Sequence, residues 1–215
     1  MRICSLGGLK NDIILLKMTN KFRKVLLLAC RICLWILAIL FGVRCIIDDS
    51  YTKYGGAISG LILPFAPMIM KRLFKIKHIA FRIELLYYIF VFIAIDLGIC
   101  FDLYVGWADF IFDKVVHFLS GVGTSIVGYY ALNYYKTERT PKFFRGLFIV
   151  FFSISIATLW EFFEFSCDKI LGFHMQTLVT SGVDDTMWDL IAATIGSVIG
   201  AWLWSKPFYK RFIEG

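Results

Sequence analysis

Charged residues are scarce in this chain of 215 residues, because Asp, Glu, Lys and Arg together make up only 18% of it. About a quarter is usual in a soluble globular domain. Hydrophobic residues instead reach 59%, and several apolar runs approach the roughly 20 residues that a membrane-spanning helix needs. The composition therefore excludes a soluble enzyme, a disordered chain and a nucleic-acid-binding protein.

The sequence also lacks the motifs of familiar enzyme and metal sites. Cys30 and Cys33 form a Cys-x2-Cys pair, and no second pair exists to complete a four-thiolate zinc site. The pair lies in an apolar segment without the βαβ context of a redox motif, so we interpret both thiols as structural. No Ser-His-Asp set has the spacing of a hydrolase triad, and no known lipid-hydrolase motif is present.

The chain contains a series of apolar segments. Membrane spans are predicted at about 25–47, 55–71, 84–104, 113–133, 146–166 and 187–204. The predicted fold class is all-α, a polytopic membrane helix bundle of about six transmembrane helices. We divide the chain into a basic N-terminal segment (1–24), a transmembrane domain (25–204) and a tail (205–215). Pro64 and Pro67 predict a bent second span, because proline interrupts helical hydrogen bonding.

The basic residues lie mainly on one side of these spans. The N-terminal segment, the connections after the second and fourth spans, and the tail hold 18 of the 23 Lys and Arg residues. Lys and Arg are retained on the cytoplasmic side of a membrane. Both termini are therefore expected in the cytoplasm, and the net charge of +7 reflects topology. Residues 1–17 precede a second candidate start, Met18, and are expected to be dispensable or to form a short helix on the membrane.

Individual polar and aromatic residues near the span ends have simple expected roles. Arg31 and Arg44 lie within the first predicted span, and each is expected to extend to its nearest interface, with Arg44 beside Asp48. Five tryptophans are interpreted as interfacial anchors. They are Trp107, Trp160, Trp188, Trp202 and Trp204.

Acidic residues gather at the outer ends of the predicted spans, where ionisable groups are costly and suggest a functional site. Within each span they share one helix face with each other or with a histidine. These sets are Asp113 and His117 in span four, Glu161, Glu164 and Asp168 in span five, and Asp185 and Asp189 in span six. Three helices of different direction thus place acids at one depth. Asp96 and Asp102 in span three have a weaker link to them.

Two explanations of this convergence stay open. The acids can cap helix N-termini and form a structural network with Lys114 or Lys169. Alternatively they form a functional site, because carboxylates with one imidazole suit Mg²⁺, Mn²⁺ or Zn²⁺ and helix bundles build sites this way. The candidate metal ligands are Asp113, His117, Glu161, Glu164, Asp185 and Asp189. Glu161, Glu164 and His117 are also the catalytic candidates, and His174 and Gln176 in the outer loop are candidates for substrate binding.

Three motifs together resemble a known family. They are Phe112-Asp113-Lys-Val-Val-His117-Phe-Leu-Ser-Gly121, then Trp160-Glu161-Phe-Phe-Glu164, then Asp184-Asp185-Thr186-x2-Asp189-Leu190 with Gly196. This pattern resembles the YjdF-like family of bacterial inner-membrane proteins over about residues 84–204. It is similar, more distantly, to the VanZ-like family, where an Asp-Lys-x-x-His-Phe run precedes a glutamate helix. The resemblance implies a bacterial cytoplasmic membrane protein with a role at the envelope, and it implies no particular reaction.

The sequence favours an integral membrane protein with a polar site at the outer leaflet. Its expected partner is membrane lipid, and an enzyme of this kind would act on a lipid or lipid-linked headgroup with help from a divalent metal. No soluble protein partner can be inferred. The alternatives are a small ion-coupled transporter, disfavoured by the few ionisable residues in the inner halves of spans four to six, and a structural or regulatory protein without turnover.

Overall fold

The computed structural model describes residues 6–76, 79–100, 109–135, 139–176 and 182–206, without the side chains of 6–18, 99, 100 and 109. Across this part of the chain the regular elements are all helices. Asp102, Trp107 and the tail from residue 207 onward, for which predictions were made, lie outside the described residues.

Within the described residues, seven α-helices follow one another. α2 and α3 are joined by a 3₁₀ turn at Leu63–Phe65, and α4 continues as a π-helix over Phe92–Cys100. The α-helices are α1 (Leu6–Ile47), α2 (Tyr54–Ile62), α3 (Ala66–Leu73), α4 (Phe81–Val91), α5 (Asp109–Tyr134), α6 (Lys142–Leu171) and α7 (Gly182–Trp204). α1 runs without a break from Leu6, so its first residues do not form a separate helix on the membrane surface.

Five helical stretches are long and apolar enough to cross a membrane. They are Thr19–Ile47, Tyr51–Leu73, Phe110–Tyr134, Lys142–Leu171 and Gly182–Trp204. Each coincides with a predicted span. The sixth predicted span, 84–104, corresponds to α4 and its π-helical continuation, which carry the charged residues Arg82, Glu84 and Asp96. The prediction of an all-α polytopic membrane bundle is confirmed.

The predicted bend of the second span is confirmed, and side chains from neighbouring helices compensate for it. Pro67 has no N–H to donate to the carbonyl of Leu63, one helical turn earlier. That carbonyl accepts from the Ala66 N–H and also from the Tyr87 hydroxyl, the latter at 2.7 Å. The indole of Trp35 donates to the Leu61 carbonyl at 3.2 Å. The bend between α2 and α3 therefore leaves these two backbone groups paired inside the bundle.

The bundle has two chemically different ends. At one end the start of α4 packs with the end of α5, the start of α6 and the end of α7, through Ile83, Leu132, Ile149 and Trp204. We call this the basic end, because the connections that contain Lys71–Arg82 and Arg139–Arg145 lie there. We call the other the acidic end, defined by Asp113, Glu161 and Asp185, where α5 and α7 begin and α6 finishes.

α5 and α7 are in backbone contact along much of their length, because glycines face the neighbouring helix. A Cβ atom on Gly121 would lie 2.1 Å from the Ala193 carbonyl oxygen, and one on Gly196 would lie 2.1 Å from that of Phe118. A Cβ on Gly200 would lie 2.1 Å from Ser125 Oγ. The Gly196-x3-Gly200 pattern thus acts as the small-residue packing motif that its spacing predicts.

Gly196→Ala is expected to destabilise the protein by about 2 kcal/mol, because the new methyl group forces α5 and α7 apart. Gly123→Ala is the matched control, since no atom of a neighbouring residue lies within 4 Å of the place that its new methyl group would take. That variant should be neutral or slightly stabilising, because alanine favours a helix over glycine. Thermal unfolding in detergent measures both. Equal effects of the two substitutions would contradict close packing at Gly196.

Three expectations about single side chains are incomplete. Arg31 does not simply extend to an interface but also pairs with Glu84 on α4, at 3.6 Å. Trp160 and Trp204 are not simple anchors, because their indoles donate to Glu164 Oε1 at 2.8 Å and to Ser125 Oγ at 2.6 Å. The partner of Trp160 lies four residues further along the same helix, whereas the partners of Arg31 and Trp204 lie on other helices.

Other single-residue expectations agree with the structure. Arg44 pairs with Asp48 at 3.2 Å, as predicted. Trp188 and Trp202 are more than half exposed. Cys30 and Cys33 are free thiols.

Candidate functional site

The first turns of α5 bring three ionisable side chains to the acidic end. Asp113 and His117 lie one turn apart, with relative exposures of 7% and 6%. Lys114 follows Asp113 directly, and its long side chain returns to the same cluster. Helix geometry explains the first pair, because residues i and i+4 share a face.

The ammonium group of Lys114 pairs with three carboxylates and so links α5 to α7. Its Nζ atom lies 2.8 Å from Asp113 Oδ2, 2.7 Å from Asp185 Oδ1 and 2.7 Å from Asp189 Oδ1. It also lies 5.2 Å from the centre of the Phe110 ring. Asp185 and Asp189 are almost fully buried, so this single cation compensates charge in a region with little access to solvent.

The imidazole of His117 lies between the two groups of acids. Its Nε2 atom is 3.6 Å from Asp113 Oδ1 and 3.6 Å from Asp189 Oδ1. Its Nδ1 atom is 3.7 Å from Glu161 Oε1 on α6. These distances are beyond hydrogen-bond length, so each ring nitrogen faces carboxylate oxygens across a gap that another atom can fill.

The two glutamates of α6 differ in how their carboxylates are satisfied. Glu164 accepts a hydrogen bond from the Trp160 indole at 2.8 Å. Glu161 is 3% exposed, and among the described residues neither of its buried oxygens has a hydrogen-bond partner of acceptable geometry. The Thr186 hydroxyl is within reach of this carboxylate as a weak hydrogen-bond donor. A buried carboxylate in this situation is costly unless something else compensates its charge.

The side chains form two groups that can each hold a metal ion. One contains Asp113, His117 and Asp189, and the other contains His117, Glu161 and Glu164. Within each group the donor atoms lie within 4.8 Å of one another. Two ligands of one ion are separated by at most about 4–5 Å, given bond lengths of about 2.0–2.6 Å. Both groups are therefore of the right size for one ion with small side-chain adjustments.

The loop after α6 covers this end of the bundle and is fixed by several hydrogen bonds. Asp168 accepts hydrogen bonds from the backbone N–H groups of Met175 at 2.7 Å and Gln176 at 3.1 Å. The Gln176 side chain donates to the Thr186 hydroxyl on α7 at 3.0 Å. The His174 N–H donates to the Thr52 carbonyl at 2.9 Å. The loop thus ties α6, α7 and the start of the second span together.

The predicted site residues separate into those the structure brings together and those it does not. The five residues of the two donor groups converge. Asp185 belongs to neither donor group and pairs with Lys114, and Asp168 holds the loop. Lys169 is exposed and lies over the Phe165 ring, away from the cluster. Gln176 approaches the cluster through Thr186, whereas the His174 side chain is exposed.

One further predicted residue lies outside the two donor groups. Asp96 is buried in the π-helix, and Oδ1 of its carboxylate has no hydrogen-bond partner among the described residues. The π-helix contacts α1 and α2, and its Ala94 and Ile95 share a hydrophobic cluster with Val116 of α5. The weak link that the sequence suggested between Asp96 and the other acids stays a prediction.

Comparison with protein families matches a family model to residues 27–208 of the chain. That family is described as predicted membrane protein (DUF2238). The chain belongs to this family. The match spans every helix that contributes to the acidic end, from α5 to α7. The name of this family is neither of the two that the motifs suggested, and both of those resemblances stay predictions.

No curated protein and no solved structure matches the chain. The function of this member of the DUF2238 family has to be argued from its own residues.

Proposed function

We propose that this membrane protein binds a divalent cation at its acidic end, with His117 Nδ1, Glu161 and Glu164 as ligands. The observation that carries the proposal is the Glu161 carboxylate, buried to 3% exposure with no hydrogen-bond partner for either oxygen among the described residues. Burying an ionised carboxylate costs several kcal/mol unless it is paired or bound to a metal. A cation between Glu161 and His117 supplies the missing partner.

The second donor group is a weaker candidate for the same ion. Asp113 and Asp189 already contact the ammonium group of Lys114, which also contacts Asp185. That cation compensates much of their charge, and a metal ion beside it would be repelled. The glutamates on α6 have no such partner among the described lysines and arginines. We therefore assign the ion to the α6 side of His117 and the lysine to the α7 side.

The ligand set suggests which ions fit. Two carboxylates and one imidazole suit Mn²⁺ and Zn²⁺, and Mg²⁺ is compatible when waters complete its shell. The 4.8 Å limit on donor separations favours an ion with longer ligand bonds, or a small inward shift of one glutamate.

The proposed substrate class is a lipid or lipid-linked headgroup, because the cluster lies at an end of the bundle, where headgroups surround a membrane protein. A bound divalent ion polarises a phosphoryl oxygen or activates water. Glu164 is the candidate general base through the carboxylate oxygen that does not bind the ion, since an oxygen beside the reacting water can accept its proton. Gln176, held against Thr186 at 3.0 Å, is the candidate headgroup contact.

Metal analysis of the purified protein tests this proposal. Protein in uncharged detergent is incubated with Mn²⁺, Zn²⁺ or Mg²⁺ in turn, separated from free ions and measured by elemental analysis. About one ion per chain is expected to remain, and a chelator should lower the melting temperature, because a bound ion stabilises the folded state. Retention of none of the three ions would overturn the proposal.

We also propose that the protein lies in the bacterial cytoplasmic membrane with both termini in the cytoplasm. We further propose that it is related to the YjdF-like proteins and, more distantly, to the VanZ-like proteins. A reporter fused after residue 140 should then behave as cytoplasmic, and one inserted near residue 175 as exported. The reason is the excess of Lys and Arg at the basic end. The reverse pattern would place the acidic end in the cytoplasm and exclude the outer leaflet.

Ion-coupled transport is the second candidate, and one observation favours it. Buried hydroxyls continue from the acidic cluster into the interface of α5, α6 and α7, among them Ser125, Ser153 and Ser197. Ser153 also lies 2.5 Å from the Thr124 hydroxyl. Uptake of the bound ion into vesicles that contain the protein would favour transport, whereas binding without flux would favour a fixed site.

A further inference from the structure

A second buried charge cluster lies at the basic end, away from the proposed metal site. Its members come from α1, α3 and α4: Arg31, Lys71, Glu84 and Tyr88. Glu84 is 3% exposed and is the shared carboxylate of the cluster. Lys71 Nζ donates to Glu84 Oε2 at 2.6 Å, and the Tyr88 hydroxyl donates to Glu84 Oε1 at 3.2 Å.

The guanidinium of Arg31 is incompletely satisfied in this arrangement. Its Nε donates to the Tyr88 hydroxyl at 3.1 Å, and its Nη2 lies 3.6 Å from Glu84, beyond good hydrogen-bond length. Its Nη1 is directed at Met68 Sδ, at 2.8 Å, and a thioether is only a weak acceptor. An arginine that has a carboxylate within reach but faces sulfur has donors left for another anion.

The charges of the cluster do not balance. Among the described residues, Glu84 is the carboxylate paired with both Arg31 and Lys71, so two cations share one anion. Their side chains are 17% and 32% exposed, which leaves them accessible from the bundle surface. Arg72 and Arg82 lie in the same connection and add to the positive potential.

The surface around these cations is apolar. Within one turn of Arg31, Leu28 and Ile32 are 50% and 44% exposed. Near Lys71 on α3, Ile69 and Leu73 are 59% and 65% exposed. A ligand that fits here combines an anionic group with hydrocarbon, which describes a phospholipid better than free phosphate. Basic pockets between membrane helices bind anionic headgroups in this way.

We propose that Arg31 and Lys71, at the basic end between α1, α3 and α4, bind the phosphate of a net-anionic phospholipid. The guanidinium supplies planar paired donors and the ammonium a point charge. Glu84 holds both cations in place between these helices, and the acyl chains lie along the exposed apolar side chains of α1 and α3. This site is independent of the proposed metal site.

The test uses full-length protein in uncharged detergent, titrated with phosphatidylglycerol, phosphatidylcholine or soluble glycerol phosphate. Thermal unfolding and native mass spectrometry follow binding. Phosphatidylglycerol should raise the melting temperature more than phosphatidylcholine, and Lys71→Gln should weaken its apparent affinity about fivefold, the value of one basic residue near anionic lipid. Arg31→Gln should weaken it at least as much. Lys71→Gln keeps the test informative if Arg31→Gln does not fold, because Lys71 is at the partly exposed end of α3.

Arg44→Gln is the matched control, since Arg44 belongs to the same helix but pairs with Asp48 near its other end and is 68% exposed. It should bind phosphatidylglycerol as the unmodified protein does. Equal stabilisation by the two lipids would overturn the proposal, as would unchanged affinity in Lys71→Gln. A shift with glycerol phosphate as large as that with phosphatidylglycerol would show a phosphate site and overturn the lipid assignment.

Discussion

Glu161→Gln is expected to remove divalent-ion binding, with a loss of affinity above about 100-fold. Replacing an outer-shell partner of a metal costs about 10- to 100-fold, and a charged ligand contributes more. Glu164→Gln should have a similar effect, because it belongs to the same donor group. Titration of the metal-free protein, followed by calorimetry or elemental analysis, measures the loss.

The stability of the Glu161→Gln variant distinguishes a metal site from a structural network of polar side chains. Both oxygens of Glu161 lack a hydrogen-bond partner among the described residues, so the neutral amide removes an unpaired charge without breaking a bond seen in the structure. In chelator, Glu161→Gln should therefore be more stable than the unmodified protein by about 1–3 kcal/mol. With the metal present, the order should reverse, because only the unmodified protein gains binding energy.

Asp185→Asn is the matched control for this experiment. Asp185 is as buried as Glu161, but its contact is with Lys114 and it belongs to neither donor group. It should lower stability with and without metal and leave ion affinity within a few-fold of normal. Loss of the metal in Asp185→Asn but not in Glu161→Gln would move the ion to the α7 side of His117 and contradict our assignment.

The sequence was sufficient to predict the helices and the end of the bundle where the acids meet. Length and hydropathy define the spans, and the i, i+4 spacing of Asp113 and His117 or of Asp185 and Asp189 defines a helix face without knowledge of neighbours. Counting helical rise from each entry point then predicts the depth of Glu161. These arguments need only local geometry, and the structure agrees with them.

The partners of individual charges could not be predicted, because they depend on which helices are neighbours. Lys114 is one residue from Asp113 and so begins on a different part of the α5 surface, yet its flexible side chain reaches Asp185 and Asp189 on α7. That contact depends on the close approach of α5 and α7 at Gly121 and Gly196. The Gly-x3-Gly spacing predicts close packing but does not name the partner helix.

The other differences between the predicted and the observed contacts arise at helix ends and between helices that are distant in sequence. Asp168 follows the face of Glu161 and Glu164, but it lies in the last turn of α6, where the returning backbone offers two N–H groups. A carboxylate at such a position reaches the N–H groups of the loop more easily than it reaches a site one helical turn deeper in the bundle. Arg31 similarly finds Glu84 on α4, a pairing between residues far apart in sequence that no local pattern indicates.

Lys114→Met is expected to destabilise the protein by about 3–5 kcal/mol, the usual cost of removing one partner from a buried charge network. Its ammonium contacts Asp113, Asp185 and Asp189 within 2.8 Å, and its side chain is 13% exposed. Methionine keeps the volume and flexibility of lysine, so the loss reports charge rather than packing. Lys169→Met is the control, because Lys169 is exposed beside Phe165, and its effect should stay within about 0.5 kcal/mol.

Divalent ions should restore part of the stability of Lys114→Met. Without the ammonium group, Asp113, Asp189 and His117 Nε2 form an acidic group with donor atoms within 4.8 Å and no competing cation among the described residues. A second ion can then bind to Asp113 and Asp189, and to His117 Nε2 once that nitrogen releases its proton, so this variant should retain about two ions per chain where the unmodified protein retains about one. Thermal unfolding with and without metal, together with elemental analysis, measures both effects. If divalent ions do not restore stability and no additional ion is bound, then Lys114 does not take the place of a metal cation on the α7 side of His117.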